Sequence, residues 1–383
     1  MPQQVYITHI SSFLPNILVS NDDMESILGA INGRPSRVRK LILRSNKITS
    51  RYYAIDPKTG NASHSNTELT AEAIRKLQDQ GCDLSQLSLL ACGTTLPDQL
   101  IPNHALMVQG ELALPPCEAV ATSGICLSGM MALKYGYLSI RASETTNAIA
   151  TGSENVSSLM RGHLFTEESE KGEEQLQQNK KELAFEKDFL RWMLSDGAGA
   201  VWMSECPLKD GLSLRIDWIK QTSYAGELAT CMYAGAEKNH TGQLDGWRTF
   251  LPQAWMDESI FAIKQDVKLL NEKIIEYTVT KPLQTLVNDG LVAAETIDWF
   301  LPHYSSGYFR DKVYDGIVEA GCDIPQEKWF SNLSSKGNTG SASIYIILEE
   351  LFHSGKLKKG ETLLCYIPES GRFSTAFMHL TVE

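Results

Sequence analysis

The chain runs twice through the same order of elements, at an offset of about 210 residues. In the first pass an amphipathic helix over residues 68–80 ends at Gly81, and the apolar strand Leu87-Ser88-Leu89-Leu90-Ala91-Cys92 follows, stopped by Gly93. In the second a helix ends at Gly290, and Ile297-Asp298-Trp299-Phe300-Leu301-Pro302 follows, stopped by His303. The next strand runs into small residues each time: Cys117 to Gly124 before a helix starting near Cys126, and Trp329 to Lys336 before one starting near Asn338. A further strand comes after each helix, at 147–152 and 362–367. Helices of this length between apolar strands predict an α/β chain with buried sheets. If a pseudo-twofold axis relates the halves, the turns at Cys126 and Asn338 and the strand end at His303 share one edge of the sheets, where α/β folds place ligands.

Composition narrows the function. A net charge of −11 in 383 residues argues against a nucleic-acid partner. No stretch approaches the roughly 18 apolar residues of a membrane helix, and the N-terminus lacks the basic and apolar regions of a secretory signal, so a cytoplasmic protein is expected. Eight cysteines without a Cys-x-x-Cys pair, and no His cluster beside them, predict no structural metal. Residues 163–190, rich in Glu, Gln and Lys, read as an inserted exposed helix or lid; residues 222–260 read equally as a cover over a pocket or as a surface excursion. Arg34, Arg37, Arg39, Lys40, Arg44, Lys47 and Arg51 form a basic run suited either to a solvated helix face or to docking an acidic carrier or a nucleotide phosphate.

Three residues carry the chemistry. Cys126 stands where Ala121-Thr122-Ser123-Gly124-Ile125 turns into a helix, and a helix N-terminus stabilises thiolate, so a lowered thiol pKa is expected there. His303 ends an apolar strand on the predicted ligand edge. Asn338 lies between Gly337 and Thr339-Gly340, where it can also serve as a helix cap. Singly, each of the three reads as a packing or structural residue; in the order Cys, His, Asn on matching edges they read as a site.

With these residues the sequence resembles the thiolase superfamily, and within it the β-ketoacyl synthase III-like condensing enzymes, over nearly the whole chain. The matching pieces occur in order: the Cys126 turn, Gly152-Ser153-Glu154, Ser195-Asp196-Gly197-Ala198-Gly199-Ala200-Val201, Pro302-His303 and Gly337-Asn338-Thr339-Gly340. The resemblance implies a thiolase fold of two pseudo-twofold βαβαβαββ halves in an αβαβα sandwich. Residues 1–205 would carry the nucleophile and the polar insertion, and 206–383 the His and Asn. It implies that Cys126 takes an acyl group from coenzyme A or an acyl-carrier protein, with no cofactor, and that His303 and Asn338 hold the enolate oxygen of the extender. A homodimer is implied in the same way.

The chain departs from this pattern near the C-terminus, where Pro368-Glu369-Ser370-Gly371-Arg372-Phe373-Ser374 replaces the family's Gly-Phe-Gly-Gly-like run. The Gly371 or Arg372 amide would then complete a second oxyanion hole with the Cys126 N–H. Glu154 is a candidate base for a second, ring-closing condensation, with a structural or interface role as the alternative. The whole resembles the longer synthase III relatives of secondary metabolism that make dialkylresorcinol and stilbene precursors, cyclising their product to a cyclohexanedione. Alternatives on the same fold are a chain-initiating β-ketoacyl-carrier-protein synthase III, an acyltransferase and a non-catalytic partner subunit. Cys365, inside an apolar strand, is the single candidate for the second cysteine of a degradative thiolase.

Overall fold

The computed structural model describes residues 3–36, 38–165 and 189–383; most of the segment read as an exposed helix or lid, and Arg37, fall outside them. Nine strands build the main sheet: β1 (Tyr6–Phe13), β2 (Leu89–Thr94), β3 (Glu118–Ser123), β4 (Asn147–Glu154), β5 (Gly197–Ser204), β6 (Leu214–Ser223), β7 (Trp299–Pro302), β8 (Thr362–Glu369) and β9 (Ser374–Val382). Their order is β7-β8-β9-β6-β1-β5-β4-β2-β3. The second four strands therefore repeat the order of the first five, less one member. That member survives as a single parallel bridge between Phe300 and Trp329, so the strand expected before the Asn338 turn is reduced to one residue pair. The two sets join antiparallel through only Tyr6 with Arg215 and Ile7 with Leu214.

Period-two geometry divides each strand between two faces. In β8, Leu363, Cys365 and Ile367 face one apolar cluster, and Leu364 and Tyr366 face another; in β4, Ala148 and Ala150 oppose Ile149 in the same way. The shared cluster is the middle of the molecule. It holds Met130, Leu133 and Tyr137 of helix α3 (Ser128–Arg141) and Ile344, Ile347 and Leu348 of helix α7 (Ser343–Phe352), between residues of both strand sets. Outside lie α1 (Asn66–Asp79) and α2 (His104–Glu111) on one side, and α4 (Val267–Ile275), α5 (Lys281–Asn288) and α6 (Arg310–Glu319) on the other. The result is an αβαβα layering. Strands buried on both faces explain the unbroken apolar runs in the sequence.

Local chemistry sets the elements. α1 opens on a capping box, Ser65 accepting from the Glu68 N–H while Glu68 accepts from the Ser65 N–H, so the helix starts two residues before the position expected from periodicity. Leu69, Ala73, Ile74 and Leu77 form its buried stripe. At the centre the turn before α7 packs so closely on β4 and on the first turn of α3 that a Cβ on Gly152 would lie 2.2 Å from the Ser341 carbonyl oxygen, and one on Gly129 2.3 Å from it. Backbone cannot yield as a side chain can, so Gly152→Ala is expected to cost about 1–3 kcal/mol. Thermal denaturation should show the melting temperature lowered by several degrees.

Candidate active site

Cys126 follows β3 and stands two positions before the start of α3, half-buried in the wall of a cavity of about 980 Å³. The expected lowering of its thiol pKa is not what the structure gives. The thiol is pushed up, first by burial and then by the carboxylates of Glu154 and Glu369. A helix N-terminus contributes less than about 2 kcal/mol toward thiolate, and here Glu369 Oε2 accepts the Ile125 N–H at 3.0 Å, placing negative charge on that same end.

His303 follows directly on β7, its backbone N–H donating to the Tyr366 carbonyl (2.8 Å). The residue is 3% exposed, and burial lowers its pKa to about 4. The ring is therefore neutral at pH 7. Together with Cys126, Ser305, Tyr366 and Ser370 it lines a small recess of about 40 Å³.

Asn338 reaches the site from the second half. Its N–H donates to Met193 O (2.9 Å) and its carbonyl accepts from the Ser195 N–H (2.8 Å), so the Met193-Leu194-Ser195 segment clamps the turn. Asn338 Oδ1 accepts the Gly340 N–H at 2.9 Å, which fixes the amide with Nδ2 as its remaining donor. Gly337 and Gly340 have φ of +72° and +52°, and a Cβ on Gly340 would stand 2.9 Å from Glu154. Only glycine fits there without strain.

Glu154 ends β4, 2% exposed, with Oε1 accepting from Thr95 N–H (3.2 Å), Thr95 Oγ1 and Ser341 N–H (3.0 Å), while Oε2 has no hydrogen-bond partner. Burial outweighs those bonds and raises its pKa to about 7. Cys126, Glu154, Asn338, Glu369, Gly371 and Arg372 line the large cavity; Cys126 lines the recess with His303 as well. The sulfur thus stands where the His303 and Asn338 sides meet. Gly371 O accepts from Cys231 N–H (2.8 Å), and the Arg372 side chain donates outward to Leu228 O (3.0 Å). The 222–260 excursion roofs the cavity through residues such as Met232, Tyr233 and Leu244. Buried Lys264 pins it by an ion pair with Glu237.

Two readings of the sequence need correction beyond the thiol. Arg51 does not belong to a basic surface: it is fully buried, donating to Asn21 Oδ1 (2.8 Å) and Trp192 O (3.1 Å). Glu369 is missed in favour of the glycine beyond it, although a carboxylate ending an apolar strand on the ligand edge is the same kind of signal as His303. Cys365 is buried and faces the central layer, away from the cavity lining. No helix among the described residues is long and apolar enough to cross a membrane.

Residues 289–367 match the family described as 3-oxoacyl-[acyl-carrier-protein (ACP)] synthase III C terminal. The β-ketoacyl-[acyl-carrier-protein] synthase III of Xanthomonas oryzae pv. oryzae is 24% identical over 372 residues, covering 95% of each chain. That of Clostridium perfringens is 25% identical, covering 92% of this chain and 91% of its own. Among solved structures, the tetronic acid condensing enzyme AbyA1 superposes with TM-score 0.75 at 18% identity, covering 98% of this chain and 99% of its own. Xanthomonas campestris OleA with bound lauric acid and lauroyl-CoA gives 0.73 at 18%, covering 100% of both. The structural likenesses carry the fold, while the sequence relatives span both halves and the family match includes His303 and Asn338. Over nearly its whole length the chain is similar in sequence to β-ketoacyl-[acyl-carrier-protein] synthase III enzymes, and it shares the fold of AbyA1 and OleA.

Proposed function

We propose that this chain is a ketosynthase that loads an acyl group onto Cys126 and joins it to a second thioester by Claisen-type carbon–carbon bond formation. The observation that carries the reading is the position of Cys126 at the junction of two spaces, one walled by His303 and the other by Asn338 and Glu154. In the first step the sulfur adds to a thioester carbonyl, its proton leaves with the departing thiol, and an acyl-cysteine remains. The extender's enolate, formed as its carboxylate leaves as carbon dioxide or as an α-proton is removed, then adds to that acyl carbon; collapse gives the β-ketoacyl product and expels the Cys126 thiolate, which is reprotonated.

Neutral His303 and the Asn338 amide are suited to hold the enolate oxygen, because each offers an N–H without being a strong acid. The Cys126 N–H and an amide of Gly371 or Arg372 would serve the oxyanion of the loading step. The acyl donors are coenzyme A or acyl-carrier-protein thioesters, a reading supported by the carrier protein in the names of the synthase III relatives and by the lauroyl-CoA bound to OleA. A homodimer fits the outer strand β3, half-exposed and hydrogen-bonded to β2 as its one neighbour among the described strands.

For the second, ring-closing condensation toward a cyclohexanedione, Glu154 is the base: a carboxylate with one unpartnered oxygen, lining the acyl cavity. A base acts deprotonated, so cyclisation should rise with pH and level off above about 7, where Glu154 titrates. The test is product analysis by mass spectrometry with a panel of acyl- and β-ketoacyl-CoA thioesters. Glu154→Gln should still accept acyl groups and accumulate linear product. Undiminished ring formation by this variant would remove Glu154 from the mechanism, and the absence of any new carbon–carbon bond with wild type would favour a simple acyltransferase or a non-catalytic subunit.

A further inference from the structure

Cys126 poses a problem for a loading enzyme, since two carboxylates face the cavity beside it and both oppose thiolate formation. Its proton needs an acceptor. His303 is poorly placed to take it, because no carboxylate among the described residues orients or charge-balances its ring and buried imidazole resists a proton. Glu154 is turned toward Thr95 and the Ser341 N–H, on the Asn338 side.

Glu369 differs from both. It ends β8 in the Pro368-Glu369-Ser370-Gly371 turn, and its carboxylate bridges the two turns that frame the sulfur. Oε2 is fixed by the Ile125 N–H at 3.0 Å, on the residue before Cys126, and lies 3.1 Å from where a Cβ on Gly124 would be. Oε1 lies 3.2 Å from the corresponding point on Gly371. The side chain is held from the backbone on the nucleophile's own turn, and it opens on the cavity that Cys126 lines.

We infer that Glu369 is a further catalytic residue, the proton acceptor and donor for Cys126 in acyl loading. The thiol proton passes to the Glu369 carboxylate as sulfur bonds to the thioester carbonyl carbon. As the tetrahedral adduct collapses and the carbon–sulfur bond to the carrier breaks, the proton passes from Glu369 to the departing thiolate. Nothing is oxidised or reduced, and the carboxylate is regenerated. The transfer also removes the charge that opposes the thiolate at the moment the sulfur needs it.

The inference rests on the acyl-loading reading, and the experiment separates the two. Single-turnover loading with lauroyl-CoA is followed by intact mass, and alkylation of Cys126 by iodoacetamide, which needs no thioester, is followed from pH 6 to 10. Glu369→Gln keeps an oxygen to accept the Ile125 N–H, so the turn should persist; Glu369→Asp keeps the carboxylate on a shorter arm. With Glu369 as acceptor, E369Q should load about 100-fold more slowly at pH 7. Both its loading and its alkylation should climb about tenfold per pH unit, since free thiolate must form unaided. Wild type should vary little from pH 7 to 9, and E369D should recover part of the rate. If E369Q loads as fast as wild type or faster, Glu369 is only an opposing charge or a turn anchor, and the inference fails. If wild type takes no acyl group while its alkylation profile is flat and that of E369Q steep, the loading reading fails and the acceptor role stands. If both alkylation profiles are equally steep, the acceptor role fails.

Discussion

Cys126→Ala is expected to eliminate condensation, lowering turnover by on the order of 10⁴-fold or more, as removal of an enzyme's nucleophile does. No other cysteine lines either space around the site, so none can take over. Cys92, Cys231 and Cys365 are buried, and Cys206 lies exposed just after β5. The substitution removes one half-buried sulfur and leaves the flanking turn intact, because that turn is held by the Ile125 N–H to Glu369 and the Ser128 N–H to Ile125 O. The melting temperature should therefore move by no more than a few degrees while product formation disappears. Loss of product together with loss of the cooperative melt would mean that the cysteine is needed for folding instead.

Removing the oxyanion donors should separate the two half-reactions. Loss of one such donor costs about 10²–10³-fold in rate. His303→Ala and Asn338→Ala should each lower carbon–carbon bond formation by that amount while Cys126 still accepts an acyl group. Because both N–H groups serve one oxygen, the double variant should lose less than the product of the single losses. Asn338→Asp is a sharper test, since it keeps the shape and replaces the donor Nδ2 with charge next to a developing enolate. The measurements are a stopped loading assay by intact mass and a separate product assay with pre-loaded enzyme. Equal loss in both assays for the single variants would place His303 and Asn338 in the loading step and contradict this division of labour.

Much of the fold was legible because its signals are local. Apolar runs such as Leu363-Leu364-Cys365-Tyr366-Ile367 mark strands buried on both faces, and Gly81 and Gly290 mark helix ends. The duplicated order of elements brought Cys126 and Asn338, 212 positions apart (338 − 126), to equivalent turns. What escaped depends on contacts between distant segments. The vanished strand at Trp329 is apolar enough in sequence, yet it pairs through a single bridge. The burial of Arg51 follows from Trp192 and Asn21 closing around it, which no local pattern records. The sign of the thiol shift was missed for the same reason: the helix end is visible in the sequence, but the two carboxylates reach it from β4 and β8, 28 and 243 residues further on (154 − 126 and 369 − 126).

The claim on which everything else depends is that an acyl group travels on the Cys126 sulfur. Brief mixing of wild-type protein with lauroyl-CoA, acid quenching and peptide mapping by mass spectrometry measures this directly. One acyl mass is expected on the peptide containing Cys126. An acyl group found on Cys117 or Cys206 instead, or on no residue with any thioester in the panel, would contradict it.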